Sequence, residues 1–123
     1  MRIIKKSEFY LLPSGTLFSE YQPCIFTGLK IKGDTCYRDN GTPFDYYEMD
    51  LTDCMEWDDS GDRFEKLDKA QEDSSYSLKL DLECEGRNGM YDDDQLYAVY
   101  ESDDIAGLIS KLQSCKASDI IKA

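Results

Sequence analysis

The sequence predicts an α+β domain: a curved antiparallel sheet packed with two α-helices, closure into a partly open barrel being admitted. Three observations carry that prediction. Short apolar runs of period two recur along the chain, broken by glycine, proline and asparagine turns. Two segments place apolar residues at helical spacing behind an acidic first turn. Finally, 123 residues at 41% hydrophobic suit one compact domain with a modest core, and no linker or internal repeat divides them. The domain is expected over residues 1–117, with 118–123, the end of KASDIIKA, free to fray.

The elements follow in order. RIIK (2–5) reads as a short strand, and Ser7 as the N-cap of a one-turn helix stopped by Pro13. Ser14-Gly15 turns into a strand through GTLFSEYQ, which Pro23 ends. Strands are expected around 24–32 and 34–38, separated by a turn at Lys32-Gly33-Asp34, with a second turn at Asp39-Asn40-Gly41. FDYYEMDLT (44–52) alternates, and the face with Asp45, Tyr47, Met49 and Leu51 is the better candidate for burial. A surface helix is expected over 59–73, capped by Asp59 or Ser60, with Phe64, Leu67 and Ala70 on a narrow apolar face. YSLKLDLEC (76–84) reads as a strand with Leu78, Leu80 and Leu82 on one face. Gly86 and Asn88-Gly89 turn the chain towards a strand over 94–101, with Leu96, Ala98 and Tyr100 facing the core. The last helix follows, capped by Ser102, with Ile105, Leu108, Ile109 and Leu112 at i, i+3, i+4, i+7.

Charge and missing residue types narrow the function. The formal net charge is −12, and it is concentrated: residues 43–104 carry 21 acidic and 5 basic side chains, a net of −16. A field of that sign repels nucleic acid and anionic membranes and steers the chain toward basic surfaces. The plainer reading is a charge that only keeps the protein in solution. No run approaches the ~20 apolar residues of a membrane span. Glu8 and the tyrosines interrupt any signal-peptide core near the start, so a cytoplasmic location is expected. Five widely spaced cysteines without a CxxC pair agree, and are expected to be mostly small buried hydrophobes.

There is no histidine, which excludes Ser–His and Cys–His nucleophile pairs and the usual zinc sites. No GxxxxGK or GxGxxG loop is present, and no acid has a lysine two residues later, as a carboxylate nuclease would need. The expectation is therefore a protein that is not an enzyme and holds no cofactor. Aligning Gly61 with the glycine of a calcium loop puts Leu67 where the bidentate glutamate belongs, so no metal site is assigned there. A helix cap and a solvated face explain the acidic clusters more simply.

Two candidate sites remain. FDYYEMD, EWDD and MYDDDQLY repeatedly set aromatics beside carboxylates. Rigid aromatic area with acids as partners for Arg and Lys suits a protein interface, and carboxylates at intervals of several ångströms imitate phosphates. Its residues are Tyr91, Asp92, Asp93 and Asp94 with Glu56, Trp57, Asp58 and Asp59; the competing reading is half-buried strand aromatics with acids facing water. The alternative site is an anion pocket from Lys30, Lys32, Tyr37 and Arg38 that would sequester a small nucleotide, against the plainer reading of a lysine-protected edge strand.

LLPSGTLFSEYQPCIFTGLKIKGDT (11–35) and GRNGMYDDDQLYAVYESDDIAGLI (86–109) resemble segments of a group of small proteins of unknown function from bacteriophages and prophages. The resemblance implies no established activity, fold or site residue. It does imply the habit of small acidic phage proteins, which often bind and inhibit host machinery in the manner of anti-CRISPR and anti-restriction proteins, some mimicking nucleic acid. The expected partner is thus a basic host protein, a nucleic-acid-binding defence enzyme, met in the host cytoplasm. No direct nucleic-acid or membrane binding is expected, and a homodimer stays open. An accessory phage protein with no inhibitory role is the further alternative.

Overall fold

The computed structural model describes residues 1–116; the expected fraying of 118–123 lies outside them. Its centre is one six-stranded antiparallel sheet that stays open. The strands are β1 (Arg2–Lys5), β2 (Leu17–Gln22), β3 (Ile25–Tyr37), β4 (Pro43–Asp50), β5 (Gly86–Arg87) and β6 (Leu96–Val99). Their spatial order is β1-β6-β2-β3-β4-β5. Three helices accompany them: α1 (Lys6–Phe9), α2 (Ser60–Glu72) and α3 (Ser102–Ser114). The α+β class is the expected one. Among the described residues no helix is long and apolar enough to cross a membrane.

One face of the sheet carries the core, built from aromatics. Phe9 at the end of α1 is fully buried and stacks on Tyr97 at 3.9 Å between centroids, with Phe18 and Tyr46 edge-on at 4.7 and 5.0 Å. Tyr10 and Val99 complete the cluster, with Ile4 and Leu12 packed against it. Each such ring contributes roughly 1.5–3 kcal/mol of burial plus about 0.5–1.5 kcal/mol of aromatic geometry.

Several expectations are corrected. Lys32-Gly33-Asp34 is not a turn: β3 runs through it, and the pairing with β4 shifts from Lys32↔Glu48 to Thr35↔Tyr46, so two residues oppose Tyr47 alone. Gly33 permits this because a Cβ there would lie 2.8 Å from the Cβ of Tyr47. On β4 the core residue is Tyr46, not Tyr47, which is exposed; the bulge sets which face turns inward. On β6 the cluster takes Tyr97 and Val99, while Ala98 is buried on the opposite face between Ile3 and Ser19. Alternation alone could not choose the face, and the stack on Phe9 does.

The stretch 76–84 is not a strand. It makes a single bridge, Met55↔Leu80, and Leu80 and Leu82 are 57% and 53% exposed, because no neighbouring strand runs along it. Helix α2 forms as expected, with Asp59 Oδ1 accepting from the Asp62 amide at 2.8 Å. The cap of α1 is Lys5 rather than Ser7, and that of α3 is Glu101 rather than Ser102, with Asp104 Oδ2 accepting from the Glu101 amide at 2.9 Å. Neither α2 nor α3 buries a residue fully. Of the five free cysteines only Cys54 is buried; Cys24, Cys84 and Cys115 are exposed, Cys24 because it holds the hairpin turn after Pro23.

Candidate functional site: an acidic crossover above a polar cavity

Residues 88–95 carry the chain from β5 at one edge of the sheet back to β6, across the core face. Two buried charges fix this crossover. Lys6, 4% exposed, donates to the carbonyl oxygens of Met90 and Asp92, each at 3.0 Å. Asp45 is buried on the back of β4, where it pairs with Arg87 at 2.8 Å and accepts from the amides of Tyr46 and Gly89 at 2.8 and 3.2 Å. Burial alone would raise the Asp45 carboxyl, but the Tyr46 amide, the Arg87 guanidinium and the Gly89 amide outweigh it and hold the group below its ordinary range. Gly89 adopts φ 69°, the left-handed conformation an Asn-Gly pair supplies. Asp92 Oδ1 then accepts from the Asp94 amide at 3.0 Å, tightening the turn into β6.

Beneath the crossover lies a polar cavity of about 200 Å³, its walls including Glu20, Gln22, Gln95 and the two core tyrosines. The hydroxyls of Tyr46 and Tyr97 meet there at 3.1 Å. Beside them Lys30 bridges Glu20 at 3.3 Å and Glu48 at 3.2 Å. Burial opposes the Lys30 ammonium, yet Glu48 and Glu20 prevail and raise it above the ordinary lysine range. Asn88 Nδ2 donates to Glu48 Oε1 at 3.3 Å, whereas Glu48 Oε2 is buried without a partner. Burial first, then Tyr97 and the two glutamates, push the Tyr46 phenol far above its usual range; Tyr97 is raised by burial, with the bond to Tyr46 opposing and Glu20, Tyr10 and Glu48 adding.

The sequence-derived sites fare differently. Tyr91, Asp92, Asp93 and Asp94 lie together on the crossover with exposed side chains, and the Tyr91 hydroxyl accepts from Arg87 at 3.3 Å. Glu56, Trp57, Asp58 and Asp59 are exposed too, but on the approach to α2. There Asp59 caps the helix, Glu56 pairs with Lys79 at 3.6 Å, and Trp57 lies under the Arg63 guanidinium at 6.0 Å. Among the described residues no hydrogen bond or ion pair joins the two clusters.

Of the residues expected to form an anion pocket, Lys32 and Tyr37 line one hollow and Tyr37 and Arg38 another. Lys30 is held by its two glutamates, and Lys32 is buried with Nζ donating to Gly33 O and Thr35 Oγ1 at 3.0 and 2.8 Å. Arg38 covers the ring of Phe44 at 5.0 Å. Sequence reasoning missed the Glu20–Lys30–Glu48 triad and the anchors Lys6, Asp45 and Arg87. A signal existed for Glu48 alone, since it shares a strand face with Tyr46.

Comparison of the chain with protein-family models, curated proteins and solved structures returned no match in any of the three.

Proposed function

We propose that this is a non-enzymatic binding protein that docks on a basic surface of another protein through the crossover 88–95. Its place is that of a small phage inhibitor of a host nucleic-acid-binding defence protein. The observation that carries the reading is a division of labour. The crossover's backbone is tied down by Lys6 and by the Asp45–Arg87 pair, while the side chains of Tyr91, Asp93 and Asp94 stay exposed and, among the described residues, bond to no charged group except Arg87. A presentation fixed in advance lowers the ordering cost of association, and an exposed tyrosine among carboxylates suits arginine-rich grooves. The cluster at Glu56–Asp59 is spent mostly on the local structure of α2, so it supplies field and not contact.

The test is capture of binding proteins from a host lysate by immobilised protein, at low and high salt. Asp93→Lys with Asp94→Lys should abolish capture of a salt-sensitive basic protein, while Glu65→Lys with Asp68→Lys on α2 should weaken it only modestly. Equal capture by wild type and the crossover variant would overturn the reading.

A further inference from the structure

The cavity under the crossover is small, partly open and lined by more free acceptors than free donors. We propose that it receives one alkylguanidinium or alkylammonium group, an arginine or lysine side chain of the docked protein. The source of that group rests on the function proposed above; the chemistry of the cavity stands on its own residues.

Size decides first. Pockets that take drug-sized molecules or cofactors run to roughly 300–1,000 Å³, and about 200 Å³ admits a side chain but not a nucleotide. Hydrogen-bond accounting decides the sign. One tyrosine O–H and the Gln22 amide are open donors among the described residues, but the others around the cavity are used: Lys6 on two carbonyls, Asn88 Nδ2 on Glu48, Gln95 Nε2 on the carbonyls of Tyr21 and Leu96 at 3.1 and 2.7 Å, and Lys30 on two carboxylates. The acceptors are not. Among the described residues Glu20 uses only Oε1, and the tyrosine hydroxyls, both about 1% exposed as residues, share one hydrogen bond in the cavity wall and so retain acceptor capacity. Glu20 and Asp92 in the walls, with Glu48 beside them, stand against Lys6 and Lys30, three negative charges to two positive, and among the described residues the buried Glu48 Oε2 lacks a donor. A planar cation with several N–H groups answers each deficit, and a charged donor to a carboxylate makes the stronger class of bond. An anion would meet the excess of carboxylates over ammonium groups.

Ethylguanidinium is the direct probe, with ethylurea as its neutral counterpart of nearly the same shape. Titrated into the intact protein and followed by amide and side-chain NMR, ethylguanidinium should produce saturable shifts at Tyr46, Tyr97 and Gln95, and ethylurea should not. Glu20→Gln should weaken the effect about tenfold or more. Gln22→Trp, at the cavity mouth and outside the triad, should block it while the protein stays folded by thermal unfolding. Absence of saturable shifts, or equal shifts with ethylurea, would overturn the proposal. If ethylguanidinium binds but does not compete with a captured partner, the cavity chemistry stands and the partner's side chain is not its source. If Asp93→Lys with Asp94→Lys leaves partner capture intact while ethylguanidinium still binds the cavity, the docking surface fails and the cavity does not.

Discussion

Two acidic regions of this molecule contrast in how they are held. The crossover 88–95 lies on the aromatic core, tied by one buried lysine and one buried aspartate, so its carboxylates stand on a fixed support. The excursion between β4 and β5 contains α2 and the irregular 76–84, yet it buries little beyond Cys54 and holds itself by one β-bridge and exposed side-chain contacts such as Arg63–Asp53 and Lys79–Glu56. Charge density is similar in the two; the number of buried polar anchors is not. Acidity alone therefore does not distinguish the two regions, whereas the pinning of the backbone does.

Substitutions sharpen that contrast, beginning with the largest. Phe9→Ala removes the ring that three other aromatics surround and should cost about 3–5 kcal/mol in urea unfolding. Leu82→Ala, in the excursion, should stay within about 0.5 kcal/mol. A comparable loss at Leu82 would mean that the excursion has a core of its own.

Asp45→Ala should cost about 3 kcal/mol, near the low end for a broken buried pair because the Arg87 guanidinium half reaches water. Its carboxyl is held below its unfolded value near 3.9. The folded state therefore releases that proton more readily. The stabilisation is complete above the unfolded value and disappears as pH falls through the folded one. Urea titrations at descending pH should show wild type and variant converging in strong acid; a gap unchanged there would exclude the ion pair as its cause.

Lys32 is the reverse case. Burial lowers its ammonium below the ordinary lysine range, with Asp34 and Cys36 opposing only partly, and no carboxylate pairs with it among the described residues. Between the lowered value and the ordinary value near 10.4, the unfolded chain holds a proton that the folded chain lacks, so stability rises with pH in that window. Lys32→Met should raise the neutral-pH stability by roughly 1 kcal/mol, and the advantage should shrink as pH approaches the ordinary lysine value. A smaller gain is expected at Cys24, whose φ of 68° is unfavourable for any side chain; Cys24→Gly should add about 0.5 kcal/mol, the relieved strain less the greater chain entropy of glycine.

Much of the fold was legible in the sequence. Strands β1, β2, β4 and β6 and helices α2 and α3 stand where periodicity and caps put them, because each pattern matches a local rule that tertiary packing obeys. The failures share a cause. SLKLDLE alternates like a strand, but a strand needs a partner along its length, and only Leu80 finds one. The faces of β4 and β6 were chosen from alternation, which is symmetric; Phe9, from a distant helix, breaks the symmetry. At the candidate site Tyr91 and Asp92–Asp94 were visible as an aromatic and acidic run. Their anchors were not, since Lys6 and Asp45 lie 86 and 42 positions from Asp92 and Arg87, their respective partners.

Hydrogen exchange tests the contrast most directly. The amides of Asn88, Gly89, Met90 and Asp94 donate to Tyr46 O, Asp45 Oδ1, Asn88 Oδ1 and Asp92 Oδ1 on a segment braced by Lys6. They should exchange markedly more slowly than those of residues 77–80, and Lys6→Met should erase the difference. Equal exchange in the two acidic regions of the unaltered protein would contradict the account.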